Sequence, residues 1–448
     1  MGRTSIHLIA AMLLLAQSAL SVRSGASEPP PLPHLSPDAH LGVASCASAT
    51  CHGATSPVPG GVVLQNEYVT WQTRDPHARA YATLLSEDSQ RIARNLGLPD
   101  AHSAAICLDC HADNVSAERR GPRFQLEDGV GCEACHGGAQ RWIEVHAIND
   151  NPISHRRNID LGLYPTADPV TRAELCLSCH LGDPTRFVDH RIMGAGHPRL
   201  SFELDTFTNI QPAHFVVDDD YRERKPLSTG VQIWAVGQAL ALMRTLDGVL
   251  DPELGRAGLF PEPVFFDCHA CHKPMSAGTW RERRSLGLGP GVIRFNDANL
   301  IMVRLIARVV DPGLARRLDE QGRALHRASV RGADDWTAAA RALRATAQEA
   351  LSRFAATDFT RAQVTALLEA LVAEAGRGEF IDYVAAEQTT MAAGTLLDAM
   401  RAQGWISPGD YAAAAERMDE LYAAVRNDER YRPSAHLAAL RKVQAVAR

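Results

Sequence analysis

The apolar positions of this chain change their pattern near residue 291. After it, apolar residues recur every three or four positions, which predicts a bundle of Ala-rich amphipathic helices over 292–448. Before it, from about residue 40, glycine and proline are frequent and one clear long helix is predicted, over 229–246. We therefore expect a mainly α fold with many loops, in two parts at 40–291 and 292–448, after a Pro-rich lead-in at 27–39.

Two helix starts in the second part carry capping signals. Thr360 and Gln363 form a capping box ahead of an apolar face. Ser407 can cap a helix whose first residue is Pro408. A third apolar face upstream consists of Trp336, Ala340, Leu343, Ala347, Leu351 and Phe354. No heptad pattern is sustained, so a long coiled coil is not expected. The bundle can either pack on the first part as a scaffold or form the contact surface of a homo-oligomer.

The N-terminus has the pattern of a secretory signal peptide. An apolar run at 6–20 follows Arg3 and precedes the small residues Ser24, Gly25 and Ala26. This arrangement predicts a cleaved signal peptide over 1–26, and hence an exported, periplasmic bacterial protein. The run is short for a membrane span, so no stable span is expected after cleavage; an uncleaved N-terminal anchor is the alternative.

The ten cysteines of the chain form five pairs, and a histidine directly follows each pair. This pattern indicates covalent haem c attachment, in which two thiols form thioethers and the adjacent histidine coordinates the iron. The predicted attachment residues are Cys46, Cys51, Cys107, Cys110, Cys132, Cys135, Cys176, Cys179, Cys268 and Cys271. The predicted proximal ligands are His52, His111, His136, His180 and His272. We therefore interpret 40–291 as a multihaem cytochrome c domain with five haem c groups.

Other readings of paired cysteines are zinc sites, redox dithiols and disulfides. None of them accounts for a histidine after every pair. The first motif is unusual, because Cys46 and Cys51 have four residues between them instead of two. Its loop must bulge for both thiols to reach one porphyrin, and a single thioether or a structural disulfide are the alternatives there.

Composition narrows the classes of function. The formal net charge is −6 and the chain has no block of basic residues, so nucleic acid is not an expected partner. Aromatic residues make up only 6% of the chain, which suits a core that porphyrin rings partly fill.

The second axial ligand of each iron decides what such a protein can do, because an iron with two protein ligands has no open position. His77 follows Pro76, which can start a helix. His146 lies one helical turn after Trp142, downstream of two glycines at 137–138 that can let the backbone approach a porphyrin. His190 and His197 flank a Gly-Ala-Gly turn and can reach two different haems. His214 is a weaker candidate.

The remaining histidines are less favoured as ligands. His40 and His102 precede haem motifs, and His326 lies at the edge of an apolar helix face. His269 lies inside its own motif, where its ring would have to leave the haem face. Met193 can serve as an axial sulfur ligand, although a packed core methionine is the favoured interpretation. The three histidines interpreted as surface residues are His34, His155 and His436.

Several blocks of sequence resemble a known family. They are Trp71 to Tyr81 around Asp75-Pro76-His77, the segment 129–137 with Trp142 and His146 after it, the segment 190–204, and the segment 266–272. Over about 40–283 the chain resembles the multihaem cytochromes related to cytochrome c-554 and hydroxylamine oxidoreductase. The resemblance implies closely packed, mostly bis-histidine haems, with His77, His146, His190 and His197 as distal ligands.

The chain departs from these relatives in three ways. Cytochrome c-554 has four haems, whereas five motifs occur here. No particular tyrosine matches the cross-linked tyrosine of hydroxylamine oxidoreductases. Pentahaem nitrite reductases have lysine in place of one attachment histidine, whereas all five motifs here end in histidine, and Lys273 follows His272 without replacing it.

Two classes of function follow from the sequence. The first is an electron carrier that passes electrons between redox protein partners through bis-histidine haems. The alternative is a multihaem oxidoreductase that acts on a small nitrogen or sulfur compound, such as hydroxylamine, nitrite or sulfite, at one open iron. The supply of candidate distal histidines favours the carrier.

Overall fold

The structure of the protein, a computed structural model, describes residues 30–60, 63–147, 153–183, 185–255, 261–272, 282–289 and 292–447. The predicted signal peptide at 1–26 lies outside the described residues. Over the described ranges the chain is helical with many loops, and extended pairing is confined to isolated bridges, such as the one between His40 and Arg120. The predicted mainly α fold is confirmed.

The first part of the chain contains mostly short helices separated by loops. They are α1 (Glu67–Arg74), α2 (Ala80–Leu84), α3 (Glu87–Asn95), α4 (Ala105–His111), α5 (Cys132–His136), α6 (Ile143–His146), α7 (Ile153–Asp160), α8 (Pro169–His180), α9 (His190–Gly194), α10 (Leu204–Ile210), α11 (Asp219–Arg224), α12 (Gly230–Leu250) and α13 (Cys268–Cys271). Single turns of 3-10 helix, including Pro76–Arg79, lie between them.

The second part consists of longer helices. They are α14 (Ala298–Val310), α15 (Pro312–Ala328), α16 (Ala333–Ala355), α17 (Arg361–Arg377), α18 (Tyr383–Ala402), α19 (Pro408–Ala424) and α20 (Pro433–Val446). Both predicted caps form. The Thr360 hydroxyl accepts from the Gln363 backbone N–H in a complete capping box, and the Ser407 hydroxyl accepts from the Asp410 N–H. The predicted apolar face from Trp336 to Phe354 is buried along α16.

Helix α12 joins the two parts of the chain. It confirms the helix predicted from residue 229, where the Thr229 hydroxyl accepts from the Gln232 N–H, but it runs on to Leu250. Trp234 and Leu246 on this helix are fully buried, and α12 packs against α8 and α10 as well as against α14 and α16. One hydrophobic core therefore continues across residue 291, while the domain limits at 40–291 and 292–448 stay a prediction.

The loop-rich part before α8 has little apolar core of its own. Its largest cluster of buried apolar residues is small and comprises Tyr81, Leu84, Ala93, Ala101, Leu108 and Ala112. A buried carboxylate organises the segment around α5: Glu133 accepts backbone N–H bonds of 2.7 Å from Leu41, Gly42 and Ala139. The hydrogen bonds to Glu133 thus stabilise loops that have little apolar packing of their own.

The expectation that His436 lies at the surface is wrong. Its side chain is 1% exposed on α20, and its Nε2 lies 3.1 Å from the Thr390 hydroxyl of α18. The apolar face of α20 includes this position because Ala439, Leu440 and Val443 continue the same buried stripe. His34 and His155 are partly buried rather than exposed.

Among the described residues, no helix has the length and apolar character needed to cross a lipid bilayer.

Candidate haem centres

In four of the five haem motifs, a helix ends at the motif histidine or one residue before it. In the second, third and fourth motifs the histidine is the last residue of a helix, at His111 of α4, His136 of α5 and His180 of α8. In the fifth motif the Cys268–Cys271 helix ends one residue earlier, and the His272 N–H donates to the Cys268 carbonyl at 2.7 Å. A helix of this length brings two cysteines three positions apart to the same side, beside the histidine that follows them.

The first motif accommodates its extra residues in a bulge. The His52 N–H donates to the Cys46 carbonyl at 3.2 Å, so the first cysteine and the histidine are hydrogen-bonded as in the fifth motif. Within the loop, the Cys51 N–H donates to the Ser48 carbonyl at 2.8 Å, which closes a tight turn over the added residues. The backbone thereby keeps the link between first cysteine and histidine that the shorter motifs have. All ten cysteines of the five motifs are free thiols in the structure.

Each motif histidine faces one other histidine. The five ring pairs are His52 with His146 (5.9 Å between centroids), His111 with His197 (6.4 Å), His136 with His214 (6.2 Å), His180 with His77 (6.1 Å) and His272 with His190 (6.0 Å). Two imidazoles that share one metal ion place their nitrogens about 2 Å from it, so their ring centres are about 6 Å apart. The spacing of all five pairs therefore fits an iron between the rings.

Short elements position the second histidine of each pair. His77 is the second residue of the 3-10 helix Pro76–Arg79, which Asp75 caps, as the sequence predicts for a helix started by Pro76. His146 ends α6 and His190 begins α9. His197 and His214 lie in the loops after α9 and α10.

Hydrogen bonds at Nδ1 orient several of these rings. The His52 ring donates to Glu67 (2.9 Å) and the His77 ring to Asp75 (2.8 Å). His111 donates to the Ala80 carbonyl (3.1 Å), and His197 to the Pro198 carbonyl (2.7 Å). A histidine whose Nδ1–H is held in this way keeps Nε2 free for a metal ion, and the partner fixes the tautomer. Neither Glu67 nor the two carbonyls has a signal in the spacing of the sequence, so these partners become apparent only in the fold.

Burial keeps several rings in the neutral form that binds metal ions. Burial, helped by the neighbouring His214, lowers the pKa of His136 to about 3. Burial, with a further contribution from His77, lowers the pKa of His180 to about 4. At His52 the outcome is opposite, because the hydrogen bond to Glu67 outweighs burial and raises the pKa.

A buried donor without a partner in the described structure lies beside one of the ring pairs. The indole Nε1 of Trp142 is buried and has no hydrogen-bond partner in the described structure, and its ring packs edge-on against His146 at 5.5 Å. An unpartnered buried donor is costly unless a further group accepts its hydrogen. The paired imidazoles, the free thiols and this donor together fit a haem group.

The less favoured histidines have other surroundings. His40 is fully buried and its Nδ1 lies 2.7 Å from Asp113, while the Nε2 of His326 lies 3.1 Å from Asp297. His102 lies 3.2 Å from Asp100, and His269 contacts the ring of Tyr383. None of these four forms one of the five ring pairs described above.

Comparisons with known proteins identify one relationship. Residues 45–137, which include the first three motifs, match the family model described as cytochrome c554 and c-prime. No curated protein and no solved structure matches the chain. The match includes the bulged first motif. The match relates residues 45–137 to the cytochrome c-554 family and supports a c-type cytochrome with covalently bound haem c in electron transfer or a related redox role.

Proposed function

We propose that this chain is an exported pentahaem cytochrome that transfers electrons between redox protein partners through five bis-histidine haems. The observation that carries the proposal is the set of five histidine ring pairs, one for each attachment motif, with centroids 5.9–6.4 Å apart. The bound haem supplies the one-electron chemistry of its iron.

The proposed ligand pairs follow the ring contacts. His52 and His146 hold the first iron, His111 and His197 the second, and His136 and His214 the third. His180 and His77 hold the fourth iron, and His272 and His190 the fifth. Each pair supplies two nitrogen ligands, so no iron keeps an open position for a small molecule. A carrier is therefore favoured over an oxidoreductase for small nitrogen or sulfur compounds.

Contacts between motifs support close packing of the haems. The thiols of Cys46 and Cys132, from the first and third motifs, lie within hydrogen-bonding distance, and so do those of Cys110 and Cys179, from the second and fourth. Arg186 strengthens the second contact, because its guanidinium donates to the Asp109 carbonyl at 2.9 Å and lies 3.5 Å from the Cys179 sulfur. Thioethers formed at such cysteines would bring porphyrin edges together.

Export is part of the proposal because haem c is attached outside the bacterial cytoplasm. The signal-like sequence at 1–26 supports a periplasmic location. We propose soluble one-electron donor and acceptor proteins as the partners.

Optical and electron paramagnetic resonance spectra of the holoprotein test the proposal, together with its intact mass. We expect a mass with five haem groups, five low-spin ferric irons, and a reduced spectrum that carbon monoxide and nitrite do not change. A mass with fewer haems contradicts the pentahaem assignment. One high-spin haem that binds carbon monoxide supports the alternative of an enzyme with an open iron, and assays with hydroxylamine, nitrite and sulfite would follow.

A further inference from the structure

A buried cluster of charged side chains lies against the fifth haem motif. Arg283 makes a bidentate contact with Asp297, with both N–O distances 2.7 Å, and also reaches Asp382 (3.1 Å) and Glu379 (3.3 Å). Arg294 bonds Asp267 (2.7 Å) and Asp382. These six side chains are at most 9% exposed. We call them, together with His326, the carboxylate cluster.

Several elements of the second part meet in the carboxylate cluster. Asp297 and Asp382 directly precede α14 and α18, where a carboxylate usually caps the helix, yet neither side chain makes a capping bond. Asp297 instead contacts Arg283, whereas Asp382 contacts both arginines. Glu379 follows α17, and His326 on α15 contacts Asp297. Among the described residues, the arrangement places the four acidic side chains within reach of two guanidinium groups, those of Arg283 and Arg294.

The described carboxylates outnumber the guanidinium groups and the single imidazole of His326, so the cluster favours uptake of a proton. Burial of a net negative charge in a low-dielectric interior is costly, so a buried acid without a full counter-charge takes up a proton instead. Asp297 is paired bidentately, and this pairing with Arg283 overcomes burial and holds its pKa well below the usual range. Burial and the neighbouring Asp267 raise the pKa of Asp382 to about 6.

A short path connects Asp382 with the fifth haem motif. Arg294 bridges Asp382 and Asp267, and the other oxygen of Asp267 accepts the His269 N–H at 3.1 Å, inside the motif. Tyr383, the residue after Asp382, has its ring centroid 5.8 Å from that of His269. The Asp382 carboxylate is therefore linked to the proposed fifth haem centre through Arg294 and Asp267. This link does not include His190 or His272, the proposed ligands of the fifth iron.

A small pocket borders the two arginines of the carboxylate cluster. This pocket of about 200 Å³, which includes open solvent, is lined by Arg283, Leu286, Leu288, Gly289, Val292 and Arg294. The Nε atoms of both arginines are buried without a hydrogen-bond partner among the described residues.

We infer that Asp382 takes up a proton when the fifth haem gains an electron, which couples proton uptake to electron transfer at this centre. The inference rests on the proposed function. In the coupled step, an electron from a one-electron donor protein reduces ferric iron to ferrous, and a solvent proton forms an O–H bond on the Asp382 carboxylate. Reduction removes one positive charge from the iron, so the nearby carboxylate becomes easier to protonate.

The test is the reduction potential of the fifth haem as a function of pH. The contribution of the fifth haem to the redox titration is identified as the one that is missing from a variant in which Cys268 and Cys271 are both replaced by serine. In the native holoprotein we expect this potential to fall as the pH rises above about 6, where Asp382 begins to lose its proton. In Asp382→Asn the slope should vanish, and the potential at pH 8 should lie above the native one because a negative charge is gone.

Two further variants sharpen the test. Glu379→Gln removes a neighbouring negative charge, so the sloping region should move to lower pH without being lost. Asp398→Asn, on the same helix but outside the cluster and 45% exposed, is the matched control and should keep the native slope. A potential independent of pH in the native protein, or a native slope in Asp382→Asn, would overturn the inference.

A measurement on the native protein covers the case in which Asp382→Asn does not fold. The reduced-minus-oxidised infrared spectrum at pH 7 should gain a protonated-carboxyl C=O band at the potential of the fifth haem, and its absence overturns the inference. The spectra and the mass of the same sample separate the two hypotheses. Five low-spin haems without proton coupling contradict the inference and leave the proposed electron carrier intact.

Discussion

The carboxylate of Asp75 accepts two hydrogen bonds from His77, one from its backbone N–H at 3.0 Å and one from its ring Nδ1–H at 2.8 Å. Burial alone would raise the pKa of Asp75, but these bonds and one from Gln211 lower it to about 2. The side chain is therefore a carboxylate at neutral pH. A carboxylate on Nδ1–H makes an imidazole a stronger electron donor to its metal ion.

The first prediction concerns Asp75→Asn. Loss of the negative charge should weaken the donor strength of His77 and raise the reduction potential of the fourth haem, because the ferric state loses stabilisation. Potentiometric titration of the holoprotein measures the shift. Asp88→Asn is the control, since Asp88 is 77% exposed and pairs only with Arg91 on the same helix. An unchanged set of five potentials in Asp75→Asn would contradict the assignment of His77.

The second prediction concerns the distal histidines. Substitution of His214 by alanine should leave the third iron with one protein ligand and convert one haem in five to a high-spin form that binds carbon monoxide. Optical spectra of the reduced holoprotein with and without carbon monoxide measure this change. His102→Ala is the matched control, because His102 forms none of the five ring pairs, and it should leave all haems low-spin. A high-spin haem in the His102 variant instead would mean that the ligand pairs are wrong.

The third prediction concerns the bulged first motif. If Cys46 and Cys51 both attach one haem, a variant with serine at both positions should have four haems, one fewer in the intact mass. Cys51→Ser alone should keep five haems, with one held by a single thioether. Ser48→Ala is the control, because the turn uses the backbone carbonyl of Ser48, which alanine retains. The same number of haems in the double variant as in the native holoprotein would disprove attachment at this motif.

The fourth prediction concerns the stability of the loops around α5. Glu133→Ala leaves three buried N–H groups, those of Leu41, Gly42 and Ala139, without their acceptor. Each such loss costs about 1–3 kcal/mol, so the variant should unfold at a clearly lower temperature than the native holoprotein. Glu133→Gln retains an acceptor oxygen and should lose less. Equal stability of the alanine variant and the native protein would show that water replaces the carboxylate.

The fifth prediction concerns acid sensitivity of the helical bundle. Burial lowers the pKa of His436 to about 4, so the folded protein keeps this ring neutral below its ordinary value of 6.5. The unfolded chain takes up a proton as the pH falls through 6.5, whereas the folded chain does so only near 4. Stability should therefore be complete above pH 6.5 and decrease by about 3 kcal/mol towards pH 4.

Thermal unfolding at pH 7 and pH 4.5 measures this contribution. In His436→Gln the loss of stability between the two pH values should be smaller than in the native protein. His102→Gln provides the control, because the His102 side chain is 40% exposed. The hypothesis fails if the glutamine variant is as acid-sensitive as the native chain.

The sequence predicted regular helices well and the pairing of distant residues poorly. Thr360, Ser407 and the stripe from Trp336 to Phe354 depend on neighbours within one or two turns, so spacing alone reveals them. The partner of each motif histidine lies many residues away. Sequence spacing could indicate His77 or His214 as possible ligands. The fold is needed to show which motif histidine each of these rings faces.

The roles of polar and small residues were the least predictable. The approach of Gly137 and Gly138 to a porphyrin stays a prediction, and the fold adds a second reason for glycine there, because a side chain at either position would meet a backbone oxygen, that of Gly162 or Asp38, at 2.6 Å. The charge patterns of Arg283 and Asp382 carry no signal in the sequence, because their significance arises from burial. His436 was misplaced for the same reason, since a short helix with alanines on two sides does not reveal which face is covered.

The histidine pairs also have a consequence for the unfolded chain. Each joins residues about 80 to 100 positions apart, so an iron between the rings closes a long loop, as a disulfide does, and lowers the entropy of the unfolded ensemble. The loops overlap along the sequence, and one short segment, from His190 to His197, closes two of them. In the proposed pentahaem protein, the loop-rich part, whose own apolar cluster is small, would therefore depend on the five histidine–iron–histidine links, whereas the bundle keeps its own core without them.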